Sequence, residues 1–223
     1  MADFFVKRRQ TTECPNKRFS LSVQRREIAR KSTGKGSSKL VAWRYKVDEV
    51  HADSSTFVAG VSKSQAYDQV LTQATALFAH QTNWVCNTAN TASLLYHALQ
   101  ALPSPSNKVN WAGFYVLDPS HPNQLILGPF QGKVACQTIK FGKGVCGAAA
   151  QSEKTHIVPD VEKFPGHIAC DSESRSEIVV PVMKEGKVVA IIDIDCAVEE
   201  GFNWEDMKHL EELAGLLADA CVW

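Results

Sequence analysis

EIVVPVMKEGKVVAIIDID, residues 177–195, is the stretch on which the fold turns. Two runs rich in Val and Ile flank Lys184-Glu185-Gly186, the pattern of an antiparallel hairpin. Side chains alternate faces along a strand, so Ile178, Val180 and Val182 share one face, and Val188, Ala190, Ile192 and Ile194 share another. Bringing both sets to the same core requires directly opposed residues whose numbers have an even sum. A three-residue loop pairing Met183 with Lys187 meets that condition, with Gly186 in the left-handed conformation such loops need. That register sets Glu177 across from Asp193, with Asp195 further along the same face. Like charges opposite one another destabilise a sheet, so either a cation lies between the three carboxylates or at least one of them holds a proton. A loop of another length would splay the acids into water instead.

Working towards the N-terminus, residues 128–181 place Cys136, Cys146 and Cys170 on glycine-punctuated, turn-rich backbone, which is expected to expose the side chains and leave backbone N–H groups free. Gly142, Gly144 and Gly147 surround Cys146, and Pro165, Gly166 and His167 precede Cys170. The polar run Asp171 to Ser174 leads from Cys170 to Glu177, so thiols and carboxylates are brought near each other locally. That mixture points to thiol chemistry on a small polar substrate. Within the same stretch the pattern predicts a strand over 134–141, a short helix over 144–151 and a strand over 155–158 that stops at Pro159.

Further out, NWAGFYVL at 110–117 is aromatic and β-branched and stops at Asp118-Pro119; a partner strand follows at 124–127. Trp111 and Tyr115 fall on one face and are suited to wall an apolar pocket. Helical spacing of apolar residues predicts a helix over 64–79 with a Ser cap, a second from near Asn87 to the stop at Pro103, and a terminal helix over 203–220. His97 is expected at a helix surface or in a hydrogen bond and not at a metal, and Cys86 reads as structural. The element order gives an α+β domain, an antiparallel sheet covered by helices.

The 223 residues, 44% of them hydrophobic, suffice for one core. Their net charge is zero, but residues 1–52 are markedly basic and lack apolar periodicity, so they are expected to form a disordered extension to a domain spanning 53–223. A mitochondrial targeting peptide, a nucleic-acid-binding arm and a plain solvated extension all fit that composition. No apolar run approaches the ~20 residues of a membrane span. Seven cysteines without a signal-peptide pattern are expected to be reduced thiols in a cytoplasmic setting.

NWVCN at 83–87, NWAGFYVLD at 110–118, LILGPFQGKVACQTI at 125–139, FGKGVCG at 141–147, FPGHIACDSESRSEIVVP at 164–181 and IDIDC at 192–196 resemble the free methionine-(R)-sulfoxide reductases. The resemblance runs from about His51 to Trp223. It implies a GAF fold with a sheet of about six antiparallel strands, an enclosed pocket, and reduction of free L-methionine (R)-S-oxide at the expense of thioredoxin or another dithiol, with no bound cofactor or metal. By the same resemblance Cys170 is the nucleophile and Cys136 resolves it as a disulfide. A Cys146–Cys170 disulfide is the alternative, and an assignment with Cys146 as nucleophile stays open. Glu177, Asp193 and Asp195 match the family's carboxylates, suited to gripping the substrate ammonium and to protonating the sulfoxide oxygen. Trp111 matches its aromatic wall, with Tyr115 a second candidate.

Two other classes fit parts of the pattern. A GAF-like sensor would hold a small ligand without turnover. A zinc site built from the cysteines would need spacings that Cys136, Cys146 and Cys170 do not have, since no CxxC pair is present. Neither nucleic acid nor membrane is expected as a partner, and a homodimer is left open.

Overall fold

The computed structural model describes residues 57, 60–166 and 172–223. The chain divides into two units, 1–47 and 48–223, and every described residue belongs to the second. The extension expected over 1–52 and the nucleophile expected at Cys170 lie outside the described residues.

Six antiparallel strands form one sheet: β1 (Val109–Leu117), β2 (Gln124–Gly132), β3 (Thr138–Lys140), β4 (His156–Val158), β5 (Ser176–Lys184) and β6 (Lys187–Cys196), in the order β3-β2-β1-β6-β5-β4. The β5–β6 hairpin is present, but its turn is not the expected one. Met183 pairs with Val188 and Lys184 with Lys187, leaving a two-residue loop in which Glu185 has φ 51° and Gly186 φ 74°. Two left-handed residues are the signature of a type I′ turn. On its own that turn would give an odd register and turn the wrong face inward. A bulge at Val189 restores the even sum, so Val182 pairs with Ala190 and Glu177 with Asp195, two residues from the expected Asp193.

β2 runs to Gly132 rather than stopping at Leu127. Gly128-Pro129, just past the expected end, is absorbed by a shift in register between Gly113↔Phe130 and Tyr115↔Leu127. A bulge tolerates the missing proline N–H. β3 is correspondingly shorter than the expected 134–141, because 133–137 is a loop.

One sheet face carries Ala112, Phe114, Ile178, Val180, Ile192 and Ile194, all buried under three helices. These are α1 (Lys63–Phe78), α2 (Trp84–Gln100) and, C-terminal to the sheet, the helix Trp204–Ala220. The first is capped by Ser62, whose hydroxyl accepts from Gln65 N at 3.2 Å while Gln65 Oε1 accepts from Ser62 N at 2.9 Å; this reciprocal pair sets the start just before the expected residue 64. The second starts earlier than expected because Asn83 caps it, accepting from Cys86 N at 3.0 Å. Cys86, read as structural, is an exposed free thiol, and His97 is exposed as expected. The opposite face carries Trp111, Tyr115, Val179 and Ile191 under a shorter helix, α3 (Gly144–Ser152), with the C-terminal helix becoming α4. Among the described residues no helix is long and apolar enough to cross a membrane.

Candidate active site

Strand register alone builds most of the site. Gly132, Trp111, Asp195, Glu177 and Val158 lie in one row across β2, β1, β6, β5 and β4. The next row is Phe130, Gly113, Asp193, Val179 and His156. Residues in a row and those two apart along a strand point to the same face. The three carboxylates therefore gather on the central strands with the aromatics of β1 beside them, and α3 lies above.

The aromatic wall depends on a gap in the second row. Trp111 stacks on Phe130 with ring centroids 5.2 Å apart and on Tyr115 at 6.0 Å. A Cβ at Gly113 would collide with Phe130 and lie 2.7 Å from the Trp111 ring, so only glycine lets the rings close over the strand. Both polar tips then hold the loop above. Trp111 Nε1 donates to Lys133 O at 3.1 Å, and the Tyr115 hydroxyl donates to Cys136 O at 3.0 Å. Across the mouth, Lys133 pairs with Glu173 at 2.7 Å and Asn110 Nδ2 donates to Ser174 Oγ at 3.0 Å.

These elements enclose a cavity of about 290 Å³, at the lower end of the range for small-molecule sites. Trp111, Tyr115, Cys136, Cys146, Glu177, Asp193 and Asp195 all line it. Of the residues expected to line the site, Cys170 lies outside the described residues. Sequence reading missed Ser174, Lys140 and Lys143, which also line it. It also missed Phe130 and the indispensable Gly113. The missed signal was spatial: Gly113 sits midway between two aromatics that share its face.

Cys146 departs from expectation. It is buried in the first turn of α3 and not displayed on a loop. Val145 and the run Ala148 to Ala150 give the segment an apolar face that outweighs its glycines. Gly147 permits that burial, because a Cβ there would run into Lys140 O. Cys146 Sγ donates to Glu177 Oε1 at 3.5 Å, and its sulfur and one oxygen each of Glu177 and Asp193 lie within 4.8 Å of one another.

Burial dominates the electrostatics. It pushes the Cys146 thiol well above its usual range, with the charges of Asp193 and Glu177 adding to it. Burial likewise lifts Glu177 well above the normal carboxyl range, reinforced by Asp193 and Asp195. Asp193 is pushed up to about 6 by burial, with Cys146 and Glu177 pulling the other way. Burial and crowding thus favour the protonated carboxyl, one of the two outcomes expected of three clustered acids. Asp195 is only half-buried.

Cys136 is half-buried and disulfide-bonded, whereas Cys86, Cys146, Cys196 and Cys221 are free. Cys196 and Cys221 are core thiols, directed at Pro105 O and Asn87 Nδ2 respectively. A half-buried disulfide, a protonated carboxyl and an apolar wall around one small cavity suit proton-coupled thiol chemistry on a ligand of amino-acid size.

Comparison with known proteins gives a consistent picture. A family model for the GAF domain matches residues 88–221. The chain is 52% identical to the free methionine-R-sulfoxide reductase of Saccharomyces cerevisiae over 174 residues, 78% of this chain and 95% of that protein. It is 40% identical to the free methionine-R-sulfoxide reductase of Escherichia coli, over 70% of this chain and 89% of that protein. Among solved structures it is similar to the free methionine-R-sulfoxide reductase from Neisseria meningitidis in complex with its substrate. That match has 40% identity and a TM-score of 0.67, and covers 73% of this chain and 92% of the other.

Proposed function

The chain belongs to the GAF-domain family of free methionine-(R)-sulfoxide reductases, and from that premise we propose that it reduces the (R)-sulfoxide of free L-methionine to methionine. The observation that carries this reading is the convergence of an aromatic wall, three carboxylates and two cysteines on one cavity of about 290 Å³.

The methyl group of the substrate packs against Trp111 and Tyr115, which sense the configuration at sulfur, and its ammonium lies among the carboxylates. Glu177, whose protonated form burial and neighbouring charge favour, delivers its proton to the sulfoxide oxygen. Asp193 and Asp195 hold the ammonium. The Cys170 thiolate attacks the substrate sulfur. In net terms the oxygen passes to the cysteine sulfur; methionine sulfur gains an electron pair, and Cys170 becomes a sulfenic acid. A second thiolate then attacks that sulfur, the S–S bond forms and the oxygen leaves as water. An external dithiol, thioredoxin in the cell, attacks the disulfide and restores both thiols without a bound cofactor. What supports Cys136 as the second thiol is that it is disulfide-bonded, while Cys146 remains a free, buried thiol held protonated.

Incubating the protein with racemic methionine sulfoxide and dithiothreitol tests the proposal. Methionine should appear as the R epimer alone disappears, Cys170→Ser should abolish conversion, and Cys86→Ser should not. Binding of the sulfoxide without turnover would make the chain a sensor. Equal activity of the two variants would remove Cys170 from its role.

A further inference from the structure

Cys146 is a buried thiol on α3 that lines the cavity, and the reduction proposed above gives it no task. We propose that Cys146, Glu177 and Asp193 together form a binding site for one borderline-soft divalent metal ion of the zinc class. The site occupies the same cavity as the proposed substrate but does not depend on that reading, because it uses neither Cys136 nor Cys170.

Three observations carry it. The donor atoms of the three side chains lie within 4.8 Å of one another, and all three residues are buried. The Cys146 Sγ to Glu177 Oε1 distance is 3.5 Å. Zinc bonds of about 2.3 Å to sulfur and about 2.0 Å to oxygen, at a tetrahedral angle, put those two donors about 3.5 Å apart. This pair therefore already spans one edge of a zinc tetrahedron.

Independently, Asp193 Oδ1 is buried with no hydrogen-bond partner among the described residues, and the side chain, only 6% exposed, lines the cavity. A buried carboxylate oxygen left without a donor is costly, and a cation is a partner that satisfies it.

The donor set chooses the metal. One thiolate and two carboxylates leave the fourth position open to water or to a ligand entering from the mouth. A thiolate disfavours hard cations such as magnesium or calcium and suits zinc, cobalt or iron. On binding, the thiol proton and any carboxyl proton pass to solvent as the Zn–S and Zn–O bonds form, and no electron moves. The like-charge crowding of the acids then becomes an attraction to the ion. Cys136, Cys146 and Cys170 as a set lack the spacing of a zinc module. Here the ligands come from α3, β5 and β6 and share no short spacing.

Occupancy has a functional consequence. The ion occupies Glu177 and Asp193, which the reductase reading gives to the substrate, so it competes with sulfoxide. Zinc would then inhibit the reductase reversibly, relieved by a chelator.

Cobalt(II), added to the full chain reduced with a phosphine, reads the site directly through the thiolate-to-metal charge-transfer band. One cobalt per chain should saturate the band, and zinc should abolish it. Cys146→Ser should lose it and Cys86→Ser should keep it. Asp193→Asn should weaken binding at least about tenfold, the lower bound for losing even an outer-shell partner. Should Cys146→Ser fail to fold, alkylation of the parent read by mass spectrometry replaces it, with zinc slowing modification of Cys146 and not of Cys86. A missing band at one equivalent, a band that survives in Cys146→Ser, or alkylation of Cys146 untouched by zinc overturns the site. Turnover of metal-free protein without a band would remove the metal site alone; a band without turnover would remove the reductase reading alone.

Discussion

Burial lifts the Asp193 carboxyl from 3.8 to about 6, and stability should record it. Between those values the folded chain holds a proton that the unfolded chain has already released. Stability therefore falls as pH rises through this window, by up to about 3 kcal/mol for a shift of about two units. Glu177, also lifted, adds in the same direction and extends the loss to higher pH. Asp193→Asn cannot ionise and should flatten the slope, which urea midpoints at a series of pH values between about 4 and 7 would measure. A variant whose slope parallels the parent would show that Asp193 ionises in the fold as it does in water. Glu177→Gln keeps the shape and removes the proposed proton donor. Turnover of methionine sulfoxide should drop by about a hundredfold or more, with KM changing less. Unchanged kcat would move the donor's role to Asp193 or Asp195.

On the scale of strands and helices, the site is a property of register, and Gly113 is its most sensitive point. Gly113→Ala places a methyl group into Phe130 and the Trp111 ring. Such overpacking should cost about 1–3 kcal/mol and break the stack that closes the aromatic wall. Thermal denaturation and KM for the sulfoxide should shift together; an unperturbed KM would show that Trp111 does not set the wall. How far this was legible in the sequence follows from period and from turn chemistry. Alternation along β5 and β6 requires an even register, so the gathering of Glu177, Asp193 and Asp195 could be read before any coordinates. Which acid faces Glu177 could not. Lys-Glu-Gly lacks the Asn-Gly or Asp-Gly signal of a type I′ turn, and no turn or bulge residue marks the bulge at Val189 that corrects the parity. β2 likewise outruns the expected strand at 124–127 because a bulge carries Gly128-Pro129 within it. The glycines around Cys146 suggested display, yet close helix–strand contact also needs glycine, and Gly147 serves that second purpose.

Across the whole molecule, the sheet separates a stability face from a chemistry face. The described residues lining the cavity run from Trp111 to Asp195, and the GAF match begins at residue 88. A chain starting at residue 53 should therefore retain turnover with dithiothreitol, and loss of activity in a folded truncation would bring the extension into the function. The helices α1, α2 and α4 lie on the face away from the cavity and bury the larger core. Leu213 of α4 is 1% exposed there, and Leu213→Ala should cost about 2–5 kcal/mol by leaving a cavity. Trp111→Ala removes a comparably buried side chain from the other face. The two variants should differ in kind. Well below its melting temperature, Leu213→Ala should keep kcat/KM for methionine sulfoxide within about threefold of the parent, since a residue outside the site changes transition-state binding by less than about 0.7 kcal/mol. Trp111→Ala should lose at least about tenfold in kcat/KM, worth about 1.4 kcal/mol, even where it remains fully folded. Parallel measurement of urea midpoints and initial rates would separate them. Equal activity loss from Leu213→Ala would mean that the helical core tunes the cavity through the sheet, and that the two faces are one cooperative unit.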